Sequence, residues 1–314
     1  MTTELPVTAA PGEDHRGRGI LLVLLAAVFF STSGSLGKPA MVAGMTPEQV
    51  AAIRIGGAGL LLAAGTAILA PRSLRVRRGE WPMLLAYGLL GVAGTQLMYF
   101  IATDRIPVGI AILLEFMSPV LIALWVRVVR RTRLPGALWG GIALAMAGLA
   151  LVAQVWQGAV LDALGLLAGL GAAVCSAGYF LIGERAVARR DPLGLVTWGM
   201  VIGAVIVGAL APPWTVHWSL AARSVPFGPW TPPVWLLLAA LVLAPTVISY
   251  LLGISALRHL PASVASVLGL VEPVATAAFA WALLGESLAW PQAFGALLLL
   301  AGAYVVQRKS AGIT

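Results

Sequence analysis

Ten stretches of mostly apolar residues, each close to a bilayer's width in helix, run through this sequence: 20–43, 49–70, 81–103, 107–126, 136–154, 162–183, 194–211, 233–256, 261–284 and 290–307. A hydrocarbon core about 30 Å thick takes roughly 20 apolar residues of helix. Each stretch is therefore read as one membrane-spanning helix. Composition excludes the soluble alternatives: hydrophobic residues make up 60% of the chain and charged residues 10%, against about 45–50% and about 25% in an ordinary soluble domain. Mean hydropathy is +0.95. The single cysteine, Cys175, builds neither a disulfide framework nor a metal cluster.

The cuts between stretches fall at turn signals such as Thr46-Pro47-Glu48, Ile106-Pro107, Asp191-Pro192 and Leu260-Pro261. Proline suits a first helical turn, where its missing N–H has no intrahelical partner. Outside the spans lie mainly residues 1–18, expected to be a mobile cytoplasmic tail, the Pro/Trp-rich segment 212–232 and a short tail, 308–314. Arg16 and Arg18 ahead of Ile20 imitate the start of a signal peptide, but the apolar character continues to Met45, too far for one.

Lysine and arginine set the orientation. With the N-terminus cytoplasmic, inside segments hold 16 of them and outside loops hold Arg105 and Arg223, while Lys38 and Arg54 fall within spans. That imbalance places both termini inside. It also explains the pI near 10.5 as topology, leaving nucleic-acid binding unsupported.

Sliding the chain along itself by 154 positions pairs Trp81 with Trp235, Gln96 with Tyr250, Pro107 with Pro261, Pro119 with Pro273, Gly141 with Gly295 and Gly148 with Gly302. Upstream the offset falls to about 145, pairing Pro47 with Pro192. Each unit holds five spans, an odd number, so the second enters the membrane from the opposite side. The expected fold is an all-α integral membrane protein of ten transmembrane helices, in two inverted five-helix repeats over 19–154 and 162–307. Halves so related can exchange conformations around a central site, which points to a secondary transporter.

The end of the first span through Lys38, the run Val50-Ala51-Ala52-Ile53-Arg54, and VASVLGLVEPVATAAFAWALLGESLAWPQAFGALLLLAGAYVV at 264–306 resemble the EamA-like, ten-helix branch of the drug/metabolite transporter superfamily, over about 20–307. VGIAILLEFMSPVLIAL (108–124) and CSAGYFLIGERA (175–186) look more specifically like its threonine/homoserine exporter group. The resemblance implies a multi-pass protein of the cell membrane that exports small metabolites, amino acids or related zwitterions among them. One departure is Glu286 after the ninth span: the repeat register puts Thr132 in its place after the fourth, so symmetry supports no role for it.

An ionisable side chain inside a bilayer costs about 2.5–3.5 kcal/mol on insertion scales, so each needs a reason. Glu115 lies roughly 12 Å into the fourth span and Glu272 roughly 17 Å into the ninth, at about 1.5 Å per residue. Pro119 and Pro273 are expected to break or kink those helices. Either glutamate can hold a substrate ammonium or carry a coupling proton; the alternative is a structural carboxyl hydrogen-bonded to a neighbouring helix. Arg54 lies about 8 Å deep and is placed to bind a carboxylate or to pair with Glu115. Lys38, near the outer end of the first span, either binds substrate or reaches the headgroups. Gln96, Tyr99, Tyr179, Trp198 and Tyr250 complete the candidate substrate-binding set, with packing as their alternative. Trp81, Trp156, Trp214, Trp218, Trp230, Trp235 and Trp290 read as an interfacial belt.

No catalytic group is expected. His15, His217 and His259 are scattered, and no metal-binding helix motif or phosphate-binding glycine loop occurs. No cofactor or metal is called for, so concentrative transport has to draw on a proton, a counter-solute or the membrane potential. The partners implied are a small-molecule substrate and the lipid bilayer, with a homodimer left open. Efflux of lipophilic or cationic drugs, a membrane enzyme acting on lipid intermediates and a passive channel are the competing readings.

Overall fold

The structure, a computed structural model, describes residues 13–106, 108–154, 162–284 and 289–309. Pro107, Trp156, Glu286 and the outer parts of both expected tails lie outside the described residues. The described residues are mainly helical, joined by short loops, with two isolated bridges in a turn at 224–233.

The first half of the chain forms α1 (Glu13–Val42), α2 (Pro47–Leu69), α3 (Trp81–Ala86), α4 (Thr95–Arg105), α5 (Val108–Glu115), α6 (Ser118–Val128) and α7 (Gly136–Val152). The second forms α8 (Ala163–Val187), α9 (Pro192–Leu210), α10 (Val234–Val242), α11 (Ser249–Ala256), α12 (Ala262–Gly269), α13 (Val271–Leu284) and α14 (Trp290–Lys309). A π-helical segment, Tyr87–Gly94, joins α3 to α4, and another, Leu243–Ile248, joins α10 to α11. Among the described residues, eight continuous runs have the length and apolar character to cross a membrane. Two shorter apolar helices, Gly136–Val152 and Trp290–Val306, stand where the fifth and tenth spans were expected.

Local chemistry explains the starts. Thr46 caps α2 in a reciprocal box: its hydroxyl accepts from the Gln49 N–H at 3.3 Å and the Gln49 side chain accepts from the Thr46 N–H at 3.1 Å. Asp191 caps α9 through the Gly194 N–H at 2.8 Å, with Pro192 in the first turn. α1 is described from Glu13 onward, so residues 13–18, expected in the tail, are helical. Nothing stronger than a glycine interrupts that run.

α7 and α14 cross with their main chains in contact. A Cβ on Gly148 would lie 2.5 Å from the Gly295 carbonyl oxygen, and one on Gly141 would lie 2.9 Å from that of Gly302. Only glycine permits this approach. Contact positions rise along α7 as they fall along α14, so the two helices run antiparallel. α2 and α9 pack together too, with the buried Thr66 and Thr197 hydroxyls 3.0 Å apart.

Candidate functional site

A cavity of about 730 Å³ lies among α1, α2, α4, α5, α8, α11, α12 and α13, so both halves of the chain build its wall. It extends toward one end of the bundle, where Met41, Pro47, Val152, Ala153 and Gln292 line it. In the expected topology that end is the outer one.

The helix breaks expected from Pro119 and Pro273 occur one turn ahead of each proline. α5 stops at Glu115 and α6 starts at Ser118; α12 stops at Gly269 and α13 starts at Val271. A proline deprives the carbonyl four residues earlier of its donor and crowds it with the ring. Glu115 is that residue for Pro119, and Gly269 is that residue for Pro273. The breaks hold Glu115, Phe116, Ser118, Gly269, Glu272 and Pro273 on the cavity wall. Among the described residues neither glutamate side chain has a hydrogen-bond or ion-pair partner.

Arg54 reaches the same cavity from α2 and is the basic residue on its described wall. The expected pairing with Glu115 is not formed. Instead Nε donates to the Thr246 hydroxyl at 2.8 Å, Nη1 to the Ser33 hydroxyl at 2.8 Å and Nη2 to the Pro245 carbonyl at 3.2 Å. Two of these acceptors belong to the π-helical segment Leu243–Ile248. Pro245 has no N–H for the ladder, and the widened turn turns its carbonyl toward Arg54. Thr246 passes the bond on, donating to the Leu241 carbonyl at 2.8 Å. The guanidinium is thus held by neutral acceptors from both halves, with two of its five N–H groups uncommitted.

Aromatic rings form the rest of the wall. Tyr250 packs edge-on against Phe30 at 5.1 Å and against Tyr179 at 5.6 Å, and Tyr179 against Phe180 at 5.0 Å. The buried Tyr179 hydroxyl has no partner.

Of the residues expected at a site, Arg54, Gln96, Tyr99, Glu115, Tyr179, Tyr250, Glu272 and Pro273 line this cavity. Lys38, Trp198 and Pro119 do not. Gly34, Gly37 and Met41 present one face of α1 to the cavity, and Lys38, a residue past Gly37, turns to an exposed face. Trp198 lies on α9, away from the wall; its ring packs edge-on against Trp81 at 5.1 Å and Nε1 donates to the Leu74 carbonyl at 3.2 Å. Pro119 is buried behind the restart of α6. Ser33, Thr246 and the hydrogen-bonded Ser118–Ser176 pair, 3.1 Å apart, escaped the sequence reading. Hydroxyl residues are too common in helices to stand out, although Pro245 inside an apolar run was a usable signal.

The EamA-like transporter family matches the chain twice, over residues 17–154 and 163–308. The threonine/homoserine exporter RhtA of Salmonella typhimurium (strain LT2) is 32% identical over 86% of this chain and 84% of its own length. RhtA of Escherichia coli (strain K12) is 32% identical over 81% and 83%. The transporter YwfM of Bacillus subtilis (strain 168) is 26% identical over 91% and 92%. A crystal structure aligned with TM-score 0.73 covers 93% of this chain and 97% of that one at 21% identity, a likeness of fold. With a family match across both halves and relatives at this identity over most of their length, the chain belongs to the EamA-like transporter family and is a multi-pass protein of the cell membrane.

Proposed function

We propose that this protein is a secondary transporter that exports small amine-bearing metabolites, amino acids and related zwitterions first among them, by alternating access around the cavity. The observation that carries this is the pair of carboxylates without protein partners, Glu115 and Glu272, sharing a wall with an Arg54 held in place by neutral acceptors. An ammonium answers the carboxylates, and a substrate carboxylate answers the uncommitted N–H groups of Arg54. The relatives named as threonine/homoserine exporters carry substrates of that chemistry.

The fold behind this reading is ten spans in two inverted repeats, 19–154 and 162–307, with both termini cytoplasmic. Its best support is the α7–α14 crossing. The 154-residue offset equates Gly141 with Gly295 and Gly148 with Gly302, yet in space Gly141 meets Gly302 and Gly148 meets Gly295. This one pair of equivalent helices therefore runs antiparallel, which supports inversion.

The test is counterflow into proteoliposomes loaded with unlabelled threonine, homoserine or other amino acids. Saturable uptake of the labelled partner is the expected result; flux without saturation would mean a channel. Glu115→Gln and Glu272→Gln should each reduce proton-linked efflux while leaving membrane insertion intact, and full activity in the double variant removes both from coupling. The ring-lined wall of Phe30, Tyr99, Phe116, Tyr179, Phe180 and Tyr250 favours a second reading, export of lipophilic cations. Inhibition of counterflow by cationic dyes and not by amino acids would select it.

A further inference from the structure

The opposite end of the cavity is sealed in a way the transport reading leaves unexplained. On α8 the wall includes Ser176, Tyr179 and Phe180 and then stops; on α12 it begins at Ser266. Glu184 lies four residues beyond Phe180, and Ala262 four residues before Ser266, about 6 Å along each axis. Ile122, Val126, Ala177 and Ala262 fill the space as a buried apolar plug, against which Phe180 packs from the cavity side.

One carboxylate ties this plug together. An oxygen of Glu184 takes the Arg130 guanidinium, and the other accepts the Ala262 N–H at 2.9 Å. Arg130 follows α6, in the first half, while α8 and α12 belong to the second. That single side chain therefore joins three helices from both halves. Ala262 stands in the first turn of α12, after Pro261, where backbone N–H groups lack intrahelical acceptors and a negative charge is favoured. The Arg130 and Glu184 side chains keep 29% and 19% of their surface exposed. Water can re-solvate the pair when it parts, so its strength is that of a reversible contact and not of a buried ion pair.

We infer that Arg130, Glu184 and the first turn of α12 form a latch that holds the cavity shut on the Arg130 side and must release for that side to open. The inference rests on the alternating-access reading above. α12 is continuous with the broken region that carries Glu272, so tilting α12 withdraws its N-terminus from Glu184 and drags the plug residue Ala262 with it. The latch thereby links the closed end to the site.

The test uses the full-length protein with Cys175→Ala and Ser266→Cys, so that the reporter thiol lies on the cavity wall next to the plug. A membrane-impermeant maleimide is applied to vesicles of each sidedness. Glu184→Gln, which keeps an acceptor for Ala262 but loses the ion pair, is expected to speed labelling from the Arg130 side roughly fivefold, the effect of losing a partly exposed pair. Arg130→Ala should do the same and Arg130→Lys should not. Wild-type labelling rates in both Glu184→Gln and Arg130→Ala overturn the latch. If the reporter is labelled only from the other side however long the exposure, alternating access itself fails, whatever the variants do. Should these variants not fold, Arg130→Cys with Glu184→Cys, joined by a reducible bifunctional thiol reagent, decides the matter. The bridge should stop counterflow until it is reduced, and unhindered counterflow overturns the proposal.

Discussion

The two π-helical segments occupy the same place in the two halves and serve different ends. Shifted by 154 positions, Tyr87–Gly94 overlies Leu243–Ile248. The hydroxyls that follow them bond alike: Thr95 to the Leu90 carbonyl at 3.0 Å and Ser249 to the Ala244 carbonyl at 3.1 Å, five residues back in each case. In the first segment the widened turn is used for packing. Gly91 there lies so near α8 that a Cβ would stand 3.3 Å from the Tyr179 Cα. In the second, the equivalent residue is Pro245, whose carbonyl is given to Arg54. The two halves thus share a backbone irregularity while its chemistry differs, and two of the three acceptors that hold the cation come from the half that does not supply it.

The largest effect expected from breaking this contrast comes from Arg54→Ala. It removes the cavity's cation and strands the Ser33, Thr246 and Pro245 acceptors, so counterflow should fall to background. Arg54→Lys should recover only part of it, since an ammonium cannot span the same three acceptors. Gly91→Leu should come next, and should act on the fold: overpacking against α8 costs about 1–3 kcal/mol, read as a lower melting temperature in detergent. Thr246→Val should raise the apparent KM of transport about tenfold, about 1.4 kcal/mol, because Arg54 loses its anchor at Nε. The smallest effect is expected of Val92→Thr, the matching position in the first half. Normal transport there, beside an impaired Thr246→Val, would sharpen the division of labour; equal losses would erase it.

Much of the architecture was legible because a bilayer imposes length and apolarity on every crossing segment, and prolines mark the joins. Glu115 and Glu272 were legible for the same reason, standing out against hydrocarbon. Two things were not. The break before Pro273 falls a turn early, after Gly269, whereas the one before Pro119 lies at Glu115, whose carbonyl that proline deprives of its donor. The partners of Arg54 lie 192 residues away in sequence at Thr246 and 191 away at Pro245, and no periodicity reports which helix a turned-out carbonyl will face. An arginine near a glutamate in the same layer suggests an ion pair; a proline-widened turn offered better-placed oxygens. Trp198 followed its packing alternative, because an aromatic inside a predicted span carries no mark telling a cavity wall from an edge-on ring pair.

The crossing of α7 and α14 has a mechanical consequence. Where two peptide backbones approach through Gly141, Gly148, Gly295 and Gly302, the glycines leave little side-chain bulk between them, and a larger residue at any of the four would force the helices apart. In the alternating-access reading, movement that spares this seam falls to the interrupted helices, which pack directly against it through Ile112, Val267, Leu270 and Val274.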